Sequence, residues 1–398
     1  MARRAAIVLT SRLPWPLDDG GRIASWQTVW AAAQAWDVTL LSFVPLGTQG
    51  DPLPKPLVEL GVTVGRVPHL PPAKLWAAAR GAVGRWPYTL ARYQSDAFRR
   101  ALRERVAVVR PAYVLATPLH MAPYVEDVSG VPFVLREHNV EHVWMARYAR
   151  SLGSTPAGLY ARLQARRLRF TEARLCRAAA LTLSIQDQET DALRRVAPGA
   201  RVETLPLGID LDRHPKPAPS APPAVLLAAS FAWEPNVAGA IRFLEEGWPR
   251  VRAGAPSARL RLAGKNPPER LAAAVRRAGA ELAADVSSMP EEFARATVLL
   301  VPLWVGAGAR VKIIEAFAAR LPVIATPEAC EGLDVIPGTH FLSGATTFDL
   351  ADRVLEALRG PSLRDRLARE GRALAEERWS LPAVARLQNE RIEQAIER

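Results

Sequence analysis

The sequence predicts an α/β protein of two Rossmann-like domains that face each other across a cleft. The first observation is length, because 398 residues exceed one ordinary core and suit two domains of nearly 200. The second is periodicity, since short apolar, β-branched runs alternate with helical patterns, as in parallel sheets. The third is internal similarity: both halves open with a strand, an aromatic and proline loop, and a helix.

The predicted elements divide the chain into two domains. The first comprises residues 1–207, the second comprises residues 208–380, and a last helix covers 381–398. A proline-rich linker, 214–223, lies near the boundary. Predicted strands cover 5–9, 38–43, 62–67, 113–117, 131–135, 181–185, 225–229, 260–263, 298–302 and 323–326. Predicted helices cover 22–35, 73–109, 159–180, 237–246, 268–278, 290–294, 311–319, 349–358 and 362–378, and a further helix begins at 188.

Composition narrows the class of protein. Hydrophobic residues make up 49% and charged residues 23% of the chain, as in a soluble globular protein. No uninterrupted apolar run reaches the ~18 residues that a membrane span needs, and the opening apolar run, 5–9, is too short for a signal peptide. The two cysteines, Cys176 and Cys330, lack metal-type spacing. We therefore expect a cytoplasmic protein with no cofactor and no metal.

The net charge of +12 is concentrated in the first half. Residues 1–205 hold 27 Lys and Arg against 16 Asp and Glu, which leaves +1 for the remainder. Aromatic and basic residues alternate in 73–105, and a second basic helix follows at 159–180. This pattern favours an anionic membrane surface as a partner, at the inner face of the cell membrane. An aromatic stripe facing the core with a solvated basic back is an equal alternative. No nucleic-acid-binding motif accompanies the charge, so we expect no nucleic acid partner.

The most informative stretch is 297–332. A buried strand is followed by Gly306 and Gly308, where a ligand can approach the backbone closely. Arg310 and Lys312 then stand beside a helix N-terminus, which favours anions, and Glu315 could accept hydrogen bonds from a ribose diol. The combination predicts a phosphate and sugar site, although a solvated surface loop is the alternative for any Gly-x-Gly alone.

This segment, GAGARVKIIEAFAARLPVIATPEACEGL, resembles the donor-binding segment of GT-B glycosyltransferases of the retaining family 4. The resemblance implies a GT-B fold whose last helix crosses back to the first domain, and a nucleotide-diphosphate sugar as donor. It assigns the ribose to Glu315. The family usually has a second glutamate eight positions earlier, where this chain has Ala307. Arg310 and Lys312 remain as the cations expected to stabilise the leaving diphosphate.

The resemblance implies further site residues. His138, at the end of a predicted strand, is expected to contact the donor sugar, and His120 is a weaker candidate at the previous strand end. Gly20 and Gly21 are expected to face a diphosphate or an acceptor. The remaining residues expected to bind the donor follow strand ends in the second domain: Ser230, Lys265, Val286, Glu331, Gly332 and Leu333.

The expected function is retaining, metal-independent, hexosyltransferase-like transfer to a glycan or a polyprenyl-diphosphate-linked acceptor in cell-surface polysaccharide synthesis. Two alternatives remain open. One is a GT-B nucleotide-sugar epimerase, and the other is a non-catalytic scaffold that binds sugar or lipid, which the missing glutamate at Ala307 makes credible. A nicotinamide dehydrogenase is disfavoured, because Gly-x-Gly-x-x-Gly follows neither first strand.

Overall fold

The computed structural model describes residues 3–17, 19–218, 221–304 and 311–397. The chain divides into two compact units. The first comprises Met1–Gly208 and Val384–Arg398, and the second comprises Ile209–Ala383. Each unit has its own parallel sheet, and we describe the units separately.

The first unit contains a seven-stranded parallel sheet in the order β3-β2-β1-β4-β5-β6-β7. Its strands are β1 (Ala5–Thr10), β2 (Asp37–Val44), β3 (Thr63–Pro68), β4 (Tyr113–Thr117), β5 (Phe133–Arg136), β6 (Leu181–Ser184) and β7 (Val202–Thr204). Its helices are α1 (Gly20–Ala35), α2 (Lys55–Glu59), α3 (Lys74–Val83), α4 (Tyr88–Ala91), α5 (Asp96–Val109), α6 (Glu141–Ser151), α7 (Pro156–Ala178) and α8 (Asp187–Val196), with a 3-10 segment at Leu119–Asp127.

The second unit contains a six-stranded parallel sheet in the order β10-β9-β8-β11-β12-β13. Its strands are β8 (Ala224–Ala228), β9 (Arg259–Gly264), β10 (Glu281–Ala284), β11 (Val298–Val301), β12 (Val323–Ala325) and β13 (Phe341–Ser343). Its helices are α9 (Glu234–Arg242), α10 (Trp248–Gly254), α11 (Glu269–Ala278), α12 (Met289–Ala294), α13 (Val311–Ala318), α14 (Thr347–Arg359) and α15 (Pro361–Arg378). A π segment, Phe243–Gly247, joins α9 to α10.

Strand residues alternate between two apolar layers in each unit. Ile7 and Leu9 of β1 belong to one buried cluster, whereas Ala6 and Val8 belong to the other. In the second unit, alternate residues of β8 and of β11 likewise divide between two clusters. Because side chains of a strand point alternately to its two faces, each sheet is covered on both faces.

The final helix, α16 (Leu381–Ile396), returns to pack on the first unit. Trp36 donates its indole N–H to Asn389 Oδ1 at 3.1 Å, and Gln388 donates to the carbonyl oxygen of Thr28 at 3.1 Å. The predicted α/β class, the two sheets and the returning helix are therefore confirmed.

The predicted secondary structure differs from the observed one in several details. The single helical segment 73–109 is divided into α3, α4 and α5, because Pro87 precedes α4 and Ser95 caps the start of α5. Helix α6 was missed, and it packs against α7. The edge strands β10 and β13 were also missed, since each is only three or four residues long.

Both sheets reverse their strand order beside the first strand of the unit. In the first unit the reversal lies between β1 and β4, and in the second between β8 and β11. In open parallel sheets, ligands bind in the crevice outside the carboxyl ends of the strands at such a reversal. The fold therefore identifies the loops that follow these strands as the place to look for a site in each unit.

Candidate functional site

In the second unit, three segments meet at the β8/β11 reversal. Asn236, in the first turn of α9, accepts a hydrogen bond from Lys312 Nζ at 3.1 Å. The same amide donates from Nδ2 to the carbonyl oxygen of Ser230, just after β8, at 2.8 Å. Lys312 is the second residue of α13. A predicted phosphate-binding lysine is thus tied to the loop that follows β8.

Glu315 lies one turn further along α13, on the same side as Lys312, since residues three apart on a helix are neighbours. Ile313, Ile314 and Phe317 of this helix are buried against the sheet. Within the described part of the chain, the carboxylate of Glu315 has neither a hydrogen bond nor an ion pair. Burial raises the pKa of Glu315 to about 7. The carboxylate therefore has free acceptor capacity on the side of α13 that also carries Lys312.

Three predicted residues of this site, Gly306, Gly308 and Arg310, lie outside the described residues, as does Ala307. Their roles stay predictions.

The other residues expected to bind the donor vary in exposure. Ser230, Lys265, Glu331 and Gly332 are exposed, and Lys265 follows β9, the strand beside β8. The carbonyl oxygen of Lys265 accepts from the amide of Phe231 at 2.9 Å, which ties these two strand ends together.

Val286 and Leu333 differ from this group because their side chains pack into the apolar core of the second unit. Val286 is partly buried and Leu333 is buried. Of Leu333, only the backbone is left to contact a ligand.

In the first unit, the loop after β1 leads directly into α1. Asp19 caps the helix, accepting from the amide of Arg22 at 3.0 Å, and forms an ion pair with Arg12 at 2.6 Å. A Cβ at Gly21 would lie 3.2 Å from both the Arg12 guanidinium and the Asp19 carboxylate, whereas one at Gly20 would meet nothing within 4 Å. Gly21 therefore keeps a narrow space open at the start of α1.

His138 follows β5 and is brought beside this loop. Its Nε2 hydrogen bonds with Thr117 Oγ1, the last residue of β4, at 2.7 Å. Its Nδ1 lies 3.9 Å from where a Gly21 Cβ would stand. Burial, with the nearby charge of Arg136, lowers the pKa of His138 to about 3. The imidazole is therefore neutral at physiological pH and acts as a hydrogen-bonding group.

His120 is further from this arrangement. Its ring stacks on Tyr93 with centroids 4.9 Å apart, and its Nε2 lies 4.0 Å from Glu141 Oε1. Burial lowers the pKa of His120 to about 4 and raises that of Glu141 to about 7, so the ring is uncharged at neutral pH.

The surroundings of His138 come both from its own strand end and from other elements. Glu137 is only 1% exposed, and burial together with Glu172 raises its pKa well above the ordinary value. After burial and Arg136, the groups that affect the pKa of His138 are His120, Arg12 and Asp19, and its Nε2 hydrogen bonds with Thr117. Asn236 was also missed as a site residue, because the predicted helix began at 237 and its partner Lys312 lies 76 residues further along the chain.

One Asp-x-Asp occurs in the chain, at Asp210 and Asp212. Asp210 caps a short 3-10 helix through the amide of Asp212 at 3.2 Å and pairs with Arg213 at 3.1 Å. Among the described residues, no three His, Cys, Asp or Glu side chains are grouped to hold a metal ion. The described helices also include none that is both long and apolar enough to cross a bilayer.

Residues 222–359 match the family model of glycosyl transferases, group 1. The matched segment lies in the second unit and includes Ser230, Asn236, Lys312 and Glu315. No curated protein matches the chain in sequence.

Solved structures show the same fold over nearly the whole chain. Sucrose-phosphate synthase from Thermosynechococcus elongatus is 16% identical, covers 99% of this chain and 100% of its own, and gives a TM-score of 0.64. A glycosyltransferase from Rickettsia africae is 10% identical, with 99% of each chain covered and a TM-score of 0.62. Anabaena HepE, solved with UDP and glucose, is 14% identical, with 98% and 99% covered and a TM-score of 0.58.

The chain has the fold of GT-B glycosyltransferases, and residues 222–359 within it match the group 1 glycosyl transferase model. The predicted GT-B fold and the predicted resemblance to GT-B glycosyltransferases are confirmed. Membership of family 4 in particular stays a prediction.

Proposed function

We propose that the chain is a retaining, metal-independent glycosyltransferase that moves a hexosyl group from a nucleotide-diphosphate sugar to a glycan or lipid-linked acceptor. The observation that carries this proposal is the pair Lys312 and Glu315 on the first turns of α13, with the lysine tied to Asn236. A fixed cation and an unoccupied carboxylate, about 5–6 Å apart at their Cβ atoms, match a diphosphate joined to a ribose.

Donor binding is assigned to the second unit. The ammonium of Lys312 stabilises the diphosphate by charge-assisted hydrogen bonds, and Arg310 and the N-terminus of α13 add to the positive potential. Glu315 accepts hydrogen bonds from the two ribose hydroxyls. The presence of UDP and UDP-glucose in structures of Anabaena HepE, which shares the fold, supports a nucleotide-sugar donor.

Transfer with retention follows from a front-face attack. The bond between the anomeric carbon and the β-phosphate oxygen breaks, and the acceptor oxygen forms its bond on the same face. The acceptor proton passes to the departing phosphate oxygen, so no protein base is required. Lys312 stabilises the charge that develops on the diphosphate. His138 is neutral and therefore serves as a hydrogen-bonding partner for a sugar hydroxyl rather than as an acid.

The acceptor is assigned to the first unit, which also presents a surface suited to an anionic bilayer at the cytoplasmic face of the membrane. On α7, Leu159, Leu163 and Phe170 are exposed and four and seven residues apart, which places them on one side of the helix. Arg166 lies between them, and Arg162 and Arg169 flank them.

Helix α6 adds a second exposed group of apolar side chains. The rings of Trp144 and Tyr148 stack on each other with their centroids 5.6 Å apart. Apolar anchors among cations favour an anionic interface.

The first test measures turnover. The wild type is incubated with a panel of UDP-, GDP- and ADP-sugars, with and without a polyprenyl-diphosphate-linked sugar, and products are identified by mass spectrometry. Acceptor-dependent transfer supports the proposal. A changed donor sugar without acceptor would establish an epimerase, and no reaction with retained nucleotide binding would establish a scaffold.

Lys312→Ala tests the site itself. Losing a charge-assisted hydrogen bond worth about 1.5–3 kcal/mol should lower kcat/KM roughly ten- to a hundredfold. Lys216→Ala, an exposed lysine outside the site, is the matched control and should leave activity unchanged. Equal activity of the two variants would refute the assignment of Lys312 to the diphosphate.

A further inference from the structure

The side-chain amide of Asn236 stands between two groups whose hydrogen-bonding roles are fixed. Lys312 Nζ can only donate, and it lies 3.1 Å from Oδ1. The carbonyl oxygen of Ser230 can only accept, and it lies 2.8 Å from Nδ2. A flipped amide would set its NH₂ against an ammonium and its oxygen against a carbonyl. The orientation of Asn236 is therefore determined by its two partners.

The backbone that carries Asn236 is held against the sheet. The backbone N–H of Asn236 donates to the carbonyl oxygen of Trp233 at 3.1 Å, and this hydrogen bond closes the turn that begins α9. One turn later, Gly239 packs on the segment just after β11, where a Cβ would lie 2.0 Å from the carbonyl oxygen of Pro302. The contacts of α9 therefore fix the position of Asn236 relative to the carboxyl ends of both β8 and β11.

We propose that Asn236 is a positioning residue that aims the ammonium of Lys312 at the donor diphosphate; this rests on the proposed function. A lysine side chain loses substantial rotamer freedom when it is held in one orientation, and a hydrogen bond present before the donor binds reduces that loss on binding. A neutral amide also holds the ammonium without neutralising it. The hydrogen bond to Asn236 therefore takes no positive charge away from the phosphates.

Two substitutions of Asn236 should have different effects on donor binding. Asn236→Ala removes the anchor, so Lys312 keeps its charge but loses its orientation. Asn236→Asp keeps the shape of the side chain and replaces the neutral acceptor by an anion, which pairs with the ammonium and repels the diphosphate. Asn236→Asp should therefore weaken donor binding more than Asn236→Ala, about tenfold or more against about three- to tenfold. A merely structural asparagine predicts the reverse order, because the isosteric variant preserves the packing.

The experiment is a double-mutant cycle read by calorimetry and by steady-state kinetics. UDP, GDP and ADP serve as probes, and Asn236→Ala, Asn236→Asp, Lys312→Ala and both double variants are compared with the wild type. Adding Asn236→Ala to Lys312→Ala should change affinity less than twofold, because Asn236 acts through the lysine. Asn236→Asp should still weaken binding in the Lys312→Ala background, because its carboxylate is then unpaired and repels the diphosphate directly. The single variants should raise KM for the donor more than they lower kcat.

The outcomes separate this inference from the proposed function. If Lys312→Ala weakens binding but the effect of Asn236→Ala multiplies with it, Asn236 acts independently and the inference is overturned while the function stands. If Asn236→Asp binds as well as the wild type, the inference is likewise overturned. If Lys312→Ala has no effect, or no probe binds the wild type, both the inference and the phosphate site are overturned. Circular dichroism spectra and thermal midpoints of each variant establish that the fold is retained.

Discussion

Replacing Glu315 by Gln should stabilise the second unit at alkaline pH while weakening nucleotide binding. Burial raises the pKa of this carboxyl from its ordinary value of 4.5 to about 7. The folded state therefore holds the proton more tightly than the unfolded state. The resulting contribution to stability is complete below pH 4.5 and is lost as the pH rises through 7. Since each pKa unit corresponds to about 1.4 kcal/mol, the ionised carboxylate costs about 3 kcal/mol above pH 7.

Partial exposure reduces this estimate to about 2–3 kcal/mol. Glutamine has no such pH dependence, so the gain of Glu315→Gln over the wild type should be about 2–3 kcal/mol larger at pH 8 than at pH 4.5. In a unit of this size, that gain corresponds to roughly 5–10 °C in Tm. Taking the difference between two pH values cancels any constant effect of the substitution.

The assay is calorimetric unfolding at several pH values from 4.5 to 8.5, with the transition of the second unit followed. Glu104→Gln, which removes a carboxylate from the exposed side of α5, is the control. Its stability relative to the wild type should not increase with pH. In parallel, Glu315→Gln should bind the preferred nucleoside diphosphate about tenfold or more weakly, since a neutral amide is a poorer acceptor for ribose hydroxyls. A stability difference that is independent of pH would refute the burial argument, and unchanged binding would leave Glu315 with no role in the site.

Two further predictions concern packing and location. Gly239→Ala should destabilise the second unit by at least about 3 kcal/mol, because its Cβ would collide with a backbone carbonyl; Gly50→Ala, in open space, should have little effect in urea denaturation. In co-sedimentation, the wild type should bind anionic but not neutral liposomes, reversibly by salt. Arg166→Glu and Phe170→Ser should each reduce that binding several-fold, unlike Arg369→Glu on α15. Equal binding to neutral vesicles, or none to anionic ones, would contradict the membrane assignment.

Much of the core architecture could be predicted because the sheets are parallel and covered on both faces. Such strands are near-continuous apolar runs, and β8, β11 and β12 were each placed within one residue. Strand β10 could not be recognised in the same way. Its sequence, Glu281 to Ala284, contains no β-branched residue, and it forms at the edge of the sheet through its pairing with β9.

Some residues of the candidate site could likewise be predicted from the sequence, and others could not. Lys312 and Glu315 were identifiable, because their spacing on one helix is a local property of the sequence. The roles of Asn236 and Thr117 depend on partners 76 and 21 residues away, at the ends of other strands. No local pattern encodes such pairs, so they become visible only when the sheet order is known.

The electrostatics of the two units indicate which part of the donor and acceptor each one binds. At the start of α1, the helix terminus is already occupied by the carboxylate of Asp19, which also pairs with Arg12 at 2.6 Å. His138 is uncharged at neutral pH. The first unit therefore offers a diphosphate no unpaired cation among these residues, and a second anion there would be repelled by Asp19. In the second unit, Lys312 is hydrogen bonded to the neutral amide of Asn236. We therefore propose that the diphosphate binds at α13 and that the space beside Gly21 accepts a neutral sugar hydroxyl.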